Sequence, residues 1–206
     1  MLSRMILLST ILWSGRSAAQ TTTFDRIQLG ALPAGAAVIG DFNGDGKADV
    51  AVVQADKVLT FIGNGDGGFQ EPLVTKISTG ACGGRAGDFD GDGRTDLALS
   101  DKAYCIPIFN GEISILLSNG DGTFREFPDR IPDASADYVT DIDGDGLPDL
   151  VSAGESVPPG YTGPSASPAV LRSRGNGSFL RRDIPQFINL LTLVDLNGDG
   201  LADLIQ

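Results

Sequence analysis

"DFNGDGKAD", residues 41–49, places three aspartates, one asparagine and two glycines in nine positions. The chain writes it again as "DFDGDGRTD" from Asp88, "DIDGDGLPD" from Asp141 and "DLNGDGLAD" from Asp195, at spacings of 47, 53 and 54 residues. A period near 50 marks a repeated supersecondary unit, so the fold is read from one unit. A short run of small or apolar residues stands before each loop: "AAVIG" (36–40), "GGRAG" (83–87), "DYVT" (137–140) and "NLLTLV" (189–194). A β-like run follows each: "VAVVQ" (50–54), "LALS" (97–100), "LVSA" (150–153) and "LIQ" (204–206). A further apolar segment then ends in a glycine turn, as in "KVLTFIGNGDGGF" (57–69), "ISILLSNGDGTF" (113–124) and "AVLRSRGNGSF" (169–179). Asn-Gly between two such runs signals a hairpin. Each unit reads as four short antiparallel strands with the acidic loop joining the first to the second, the pattern of a propeller blade. No segment past residue 19 sustains a 3.6-residue apolar period. The prediction is an all-β protein of three complete blades and a partial fourth, with repeats starting near 36, 83, 137 and 189.

Numbered from its first aspartate, the loop carries oxygen-bearing side chains at positions 1, 3, 5 and 9. These are Asp41, Asn43, Asp45 and Asp49; Asp88, Asp90, Asp92 and Asp96; Asp141, Asp143, Asp145 and Asp149; Asp195, Asn197, Asp199 and Asp203. Glycine stands at positions 4 and 6 of every copy, where it permits the positive-φ backbone of a tight curl. Alternating oxygen donors on such a curl point to one centre, and without a cation their charges repel. Calcium fits this donor set, with the backbone carbonyl of position 7 (Lys47, Arg94, Leu147, Leu201) completing the shell; magnesium prefers a tight octahedron and keeps its waters. The expectation is structural Ca²⁺, up to four ions. The four loops hold fourteen of the 27 acidic residues. An EF-hand needs Glu at position 12, where this chain has Val52, Leu99, Ser152 and Gln206. Dockerin modules follow a similar opening with a helix, and here strand-like runs follow. The second turns, at 63–69 and 118–124, lack a later carboxylate and read as plain hairpin turns, with Phe69, Phe124 and Phe179 behind them as packing residues.

The net charge of −12 argues against nucleic acid as a partner. A hydrophobic content of 41% in β-branched runs argues against disorder. The chain has no histidine, which removes the commonest general base and the usual zinc sites. Arg4 precedes an apolar run from Met5 to Trp13, and Ala18-Ala19 follow. This is the layout of a cleaved signal peptide over 1–19, too short to span a bilayer. The mature chain is then expected to be secreted, periplasmic or associated with the cell surface, with no membrane insertion. It consists of an N-terminal segment at 20–35 and the repeat region at 36–206.

"GDFNGDGKADVAVV…FIGNGDGGFQ" and its repeats resemble the FG-GAP/VCBS repeats of integrin-alpha-type β-propellers and of many secreted bacterial proteins. The resemblance implies Ca²⁺ in the loops at positions 1, 3, 5, 7 and 9, a structural role for it, and a protein or glycan partner. Family propellers commonly close with about seven blades, whereas this chain holds three full repeats and a fourth ending at "LADLIQ". Three arrangements fit: a fragment of a longer frame, which is favoured; self-association through the open edges; or "FDRIQLG" (24–30) closing a small ring. Propeller loops alternate faces, which puts the metal loops on one face and the insertions "DKAYCIPIFNG" (101–111) and "GESVPPGYTGPSASP" (154–168) on the other. Tyr104, Phe109 and Tyr161 are their candidate ligand contacts. Cys82 and Cys105 fall on that second face in one blade, where a disulfide would close a loop of about 22 residues. No Gly-x-Ser-x-Gly nucleophile motif occurs, and the acids outside the loops show no repeated pairing. The sequence therefore reads as a secreted, non-catalytic calcium-binding module for protein or glycan binding and adhesion. The alternative is the non-catalytic repeat region of a larger exported hydrolase or lyase, truncated here.

Overall fold

The computed structural model describes residues 35–78, 80–81, 83–100, 111–154, 167–184 and 192–205. The predicted leader, Cys82, Cys105, Tyr104, Phe109 and Tyr161 lie outside them.

The first unit is a sheet of four strands in chain order: β1 (Ala36–Gly40), β2 (Asp49–Val53), β3 (Lys57–Phe61) and β4 (Leu73–Lys76). The second repeats it as β5 (Gly83–Gly87), β6 (Asp96–Ser100), β7 (Ile113–Ser118) and β8 (Phe124–Ile131). The third does so as β9 (Tyr138–Thr140), β10 (Asp149–Ser152), β11 (Ala169–Ser173) and β12 (Phe179–Asp183). A two-stranded fourth unit follows, β13 (Thr192–Val194) and β14 (Asp203–Ile205). Every pairing is antiparallel. This is the all-β blade architecture that the period and the turn signals predict. Among the described residues no helix is long and apolar enough to cross a membrane.

The core lies between blades. β2, β6, β7 and β10 are buried along their whole length, because each blade is covered on both faces at its middle. That is why these strands read as continuous apolar runs rather than alternating ones. One cluster joins Val38, Ala51, Val53 and Val58 of the first blade to Leu97, Leu99, Leu116 and Phe124 of the second. Another joins Ile113, Ile115 and Leu117 of the second to Leu150, Ala169 and Leu171 of the third. The outer strand β8 is mostly exposed.

The second residue of the first and second acidic loops reaches into the next blade. Phe42 packs edge-on against Phe124 with ring centroids 5.4 Å apart, and Phe89 packs against Phe179 at 5.7 Å. Backbone hydrogen bonds follow the same route: Gly122 N–H donates to Phe42 O at 3.2 Å and Gly177 N–H to Phe89 O at 3.0 Å. The second glycine turns are therefore docking pieces as well as hairpin turns. Gly122 has φ 87°, which favours glycine, and a Cβ there would stand 2.6 Å from Ile62 Cδ1, so the turn seats closely against the side-chain tips of the preceding blade.

Candidate metal centre

The four acidic loops fold alike because each side chain accepts hydrogen bonds from its own loop. At position 1, Asp41 Oδ1 accepts the N–H of Gly44 at 2.8 Å and Oδ2 that of Gly46 at 2.8 Å. Asp88 does the same with Gly91 and Gly93 at 2.8 Å, and Asp141 with Gly144 at 2.7 Å and Gly146 at 2.8 Å. Asp195 accepts from Gly198 at 2.6 Å and Gly200 at 2.9 Å, and these N–H bonds hold its carboxyl below the usual carboxylate range. Presenting those N–H groups inward requires positive φ at positions 4 and 6, 74° and 79° in the first loop.

Position 9 has a function the sequence reading did not give it. Asp49, Asp96 and Asp149 open strands β2, β6 and β10 and are fully buried. One oxygen of each accepts the N–H of its own loop's second residue: Phe42 at 2.9 Å, Phe89 at 2.9 Å and Ile142 at 3.1 Å. The other accepts an N–H at or just past the end of the third strand: Gly63 at 2.8 Å, Ser118 at 2.7 Å and Ser173 at 2.7 Å. The carboxylate thus pins loop, second strand and third strand together. A signal for this exists in the sequence, since Gly63, Ser118 and Ser173 each stand six residues before Phe69, Phe124 and Phe179.

In the second loop, carboxylate oxygens of Asp88, Asp90 and Asp96 lie within 4.8 Å of one another, and in the third those of Asp141, Asp143 and Asp149 do so. Positions 1, 3 and 9 therefore converge in these two loops. The first and fourth loops carry Asn43 and Asn197 at position 3, with Asp203 accepting the N–H of Leu196 at 2.9 Å. Position 5 turns back on its own loop. Asp45 accepts the Lys47 N–H at 2.9 Å and pairs with Lys47 Nζ at 3.1 Å. Asp92 binds Arg94 in the same way at 2.9 and 3.2 Å, while Asp145 and Asp199 accept the N–H of Leu147 at 2.9 Å and Leu201 at 2.8 Å. The Lys47 ammonium holds Asp45 below the usual carboxylate range.

Crowding carboxylates in a half-buried loop makes their ionised forms costly. Burial pushes Asp96 up to about 7, with Asp90 and Asp92 adding to it against the bonds from Ser118 and Phe89. Burial likewise raises Asp149, and raises Asp90 with help from the Asp92 charge. Three convergent oxygen donors whose charges oppose one another suit a hard divalent cation, so the residues present fit calcium.

A cleft of about 730 Å³ runs along the first strands of the second, third and fourth blades, lined by Arg85, Asp137, Tyr138, Val139, Leu193 and Val194 among others. Its guanidinium is engaged: Arg85 Nε donates to Asp137 O at 2.9 Å and Nη1 to Gly84 O at 3.1 Å.

The model of the FG-GAP-like repeat family matches residues 41–99 and 141–205, more than half of the chain. No curated protein sequence matches it. Among solved structures, a lectin of Agrocybe aegerita, described as recognising non-reducing terminal N-acetylglucosamine, matches with a TM-score of 0.54 at 21% identity. The match covers 81% of this chain and 44% of the lectin chain. A chain of the Photorhabdus luminescens Tc holotoxin pore matches with a TM-score of 0.48 at 17% identity, over 82% of this chain and 8% of that one. The protein thus spans less than half the length of either, and the lectin likeness is one of β-propeller-like fold. Both matched regions begin on the first aspartate of an acidic loop, and the chain belongs to the FG-GAP-like repeat family.

Proposed function

We propose that the protein is a secreted β-propeller module that binds a protein or glycan partner and carries structural calcium in its acidic loops. The observation that carries the calcium reading is the convergence of the position 1, 3 and 9 carboxylates in the second and third loops. The first and fourth loops, with Asn at position 3, complete a set of up to four sites. Calcium would neutralise the carboxylates that now repel one another and tie the two ends of each loop through oxygen ligands. Asp41, Asp88, Asp141 and Asp195 would hold it with the third and ninth residues of each loop. The position-5 carboxylates and position-7 carbonyls remain as further donors. Affinity is expected in the range of extracellular modules, about 10⁻⁴ to 10⁻³ M.

The binding reading rests on the repeat family and on the lectin neighbour, whose sugar specificity is its own. The insertions at 101–111 and 154–168, with Tyr104, Phe109 and Tyr161, are the proposed contact loops, and Cys82 with Cys105 the proposed disulfide that braces them. Secretion rests on the leader at 1–19. Ile39 and Val74, exposed at the margins of the first blade, support self-association.

Calcium titration of the protein by calorimetry tests the metal reading. Several ions per chain should bind, and Asp88→Ala should remove one of them. Unchanged stoichiometry in that variant, or no heat of binding in the parent, would contradict it. A glycan array run with and without calcium tests the partner class.

A further inference from the structure

The third position of the loops is not uniform, and an arginine follows the difference. Asp90 Oδ2 lies 3.5 Å from Arg125 Nη2, and Asp143 Oδ2 is paired with Arg172 Nη2. The two arginines come from different strands, β8 and β11, yet belong to the same cross-strand pair of their blades. Leu117 is paired across the hairpin with Arg125, and Arg172 with Leu180. Leu117 and Arg172 each directly precede the serine whose N–H holds the ninth-position aspartate. The second blade writes that pair Leu/Arg and the third writes it Arg/Leu. In the first blade the matching residue is Ile62, before Gly63, and it faces Gln70, whose N–H donates to Ile62 O at 2.9 Å. That blade has Asn43 at position 3 and no arginine at either place. Within this chain, the fourth carboxylate of a loop and a guanidinium arrive together.

We propose that Arg125 and Arg172 are built-in counter-cations of the second and third loops, holding the position-3 carboxylate in the metal-free protein and competing with calcium for it. This rests on the reading of the loops as calcium sites. The side chains of Asp90 and Asp143 are only 13% and 21% exposed, whereas the arginines are about half exposed. A half-buried carboxylate gains from a fixed partner, while the arginine head can swing into water when a divalent ion arrives. A positive charge beside a Ca²⁺ ligand weakens calcium binding by on the order of tenfold at the effective dielectric of a protein surface. The second and third loops should therefore keep their shape better without metal, and bind calcium less tightly, than four carboxylates alone would.

The test uses the full chain with Arg125→Gln and Arg172→Gln, alongside Arg125→Lys and Arg172→Lys, which keep the charge. Calcium chloride titrations and melts in EDTA at low salt are read for each. The Gln variants are expected to melt lower in EDTA and to bind calcium about tenfold more tightly at one site each, with the Lys variants staying near the parent. Calcium affinity unchanged or weaker in the Gln variants, when the parent binds calcium, would overturn the competition. Should the parent bind no calcium, the reading of the loops fails by itself, and the EDTA melts alone decide the counter-cation role. Gln variants that melt with the parent would then sink it. A variant too unstable to purify is replaced by Asn43→Asp, which adds a fourth carboxylate with no arginine. It must melt lower in EDTA and gain more from calcium than the parent, and any other result contradicts the proposal.

Discussion

The ninth-position aspartates do more than supply a ligand. Asp96 accepts two backbone N–H groups while wholly buried, so replacing it removes a clamp whether or not metal is bound. Asp96→Asn keeps the shape but turns one acceptor into a donor against a buried N–H. It should cost about 1–3 kcal/mol in EDTA, measured by urea unfolding; a loss seen only in calcium would mean the residue is a ligand and no clamp. Burial raises the Asp96 carboxyl to about 7 from an ordinary value of 3.8. In the metal-free protein, the stability this group contributes is full below about pH 4 and is lost as pH rises through about 7. Melts in EDTA should fall over that window, and the fall should be shallower in Asp96→Asn and abolished by calcium, which favours the ionised form. A melting point that climbs from pH 4 to 7 without metal would contradict this. The oxygen pattern at positions 1, 3, 5 and 9 was legible from the letters alone. Which of those oxygens converge was not, because position 5 is diverted by the N–H of the seventh residue, and no spacing rule records that.

At the scale of strands and turns, the period and the Asn-Gly turns read well: β1 and β5 occupy the residues the sequence marks. Packing between blades was less visible. Phe42 and Phe89 sit inside loops that look wholly polar, yet both are fully buried against the following blade. A single apolar letter between two aspartates gives no periodicity to find. Phe89→Ala should lower stability by about 3–5 kcal/mol in denaturant unfolding, as for other buried aromatics cut to alanine. A loss below 1 kcal/mol would show that the loop does not anchor the next blade. The second glycine turns looked like connectors for the same reason. Their N–H bonds to Phe42 O and Phe89 O are long-range, and local sequence carries no trace of them.

At the scale of the molecule, the first blade and the outer half of the third differ. On the first blade, Ile39 and Val74 lie on the face opposite the interblade core and are 69% and 55% exposed. On the third, the residues matching Ile62 and Leu73, or Leu117 and Phe127, which meet the next blade's turn, are Arg172 and Arg182. The outer half of that blade therefore offers charge where its predecessors offer apolar contact. If copies associate through the first blade, Ile39→Lys with Val74→Lys should shift sedimentation toward monomer; an unchanged distribution would place the contact elsewhere, as at Val194 and Leu196 of the fourth unit, which are 40% and 68% exposed. Blade number per chain followed from the repeat count, whereas this asymmetry required the pairing register. Whether calcium holds the acidic loops, and through them the blades, is read from a thermal melt of residues 20–206 in millimolar calcium and again in excess EDTA. The melting point should rise with calcium concentration on a discrete particle. A folded protein whose melting point ignores calcium would reduce the loops to turns and contradict it.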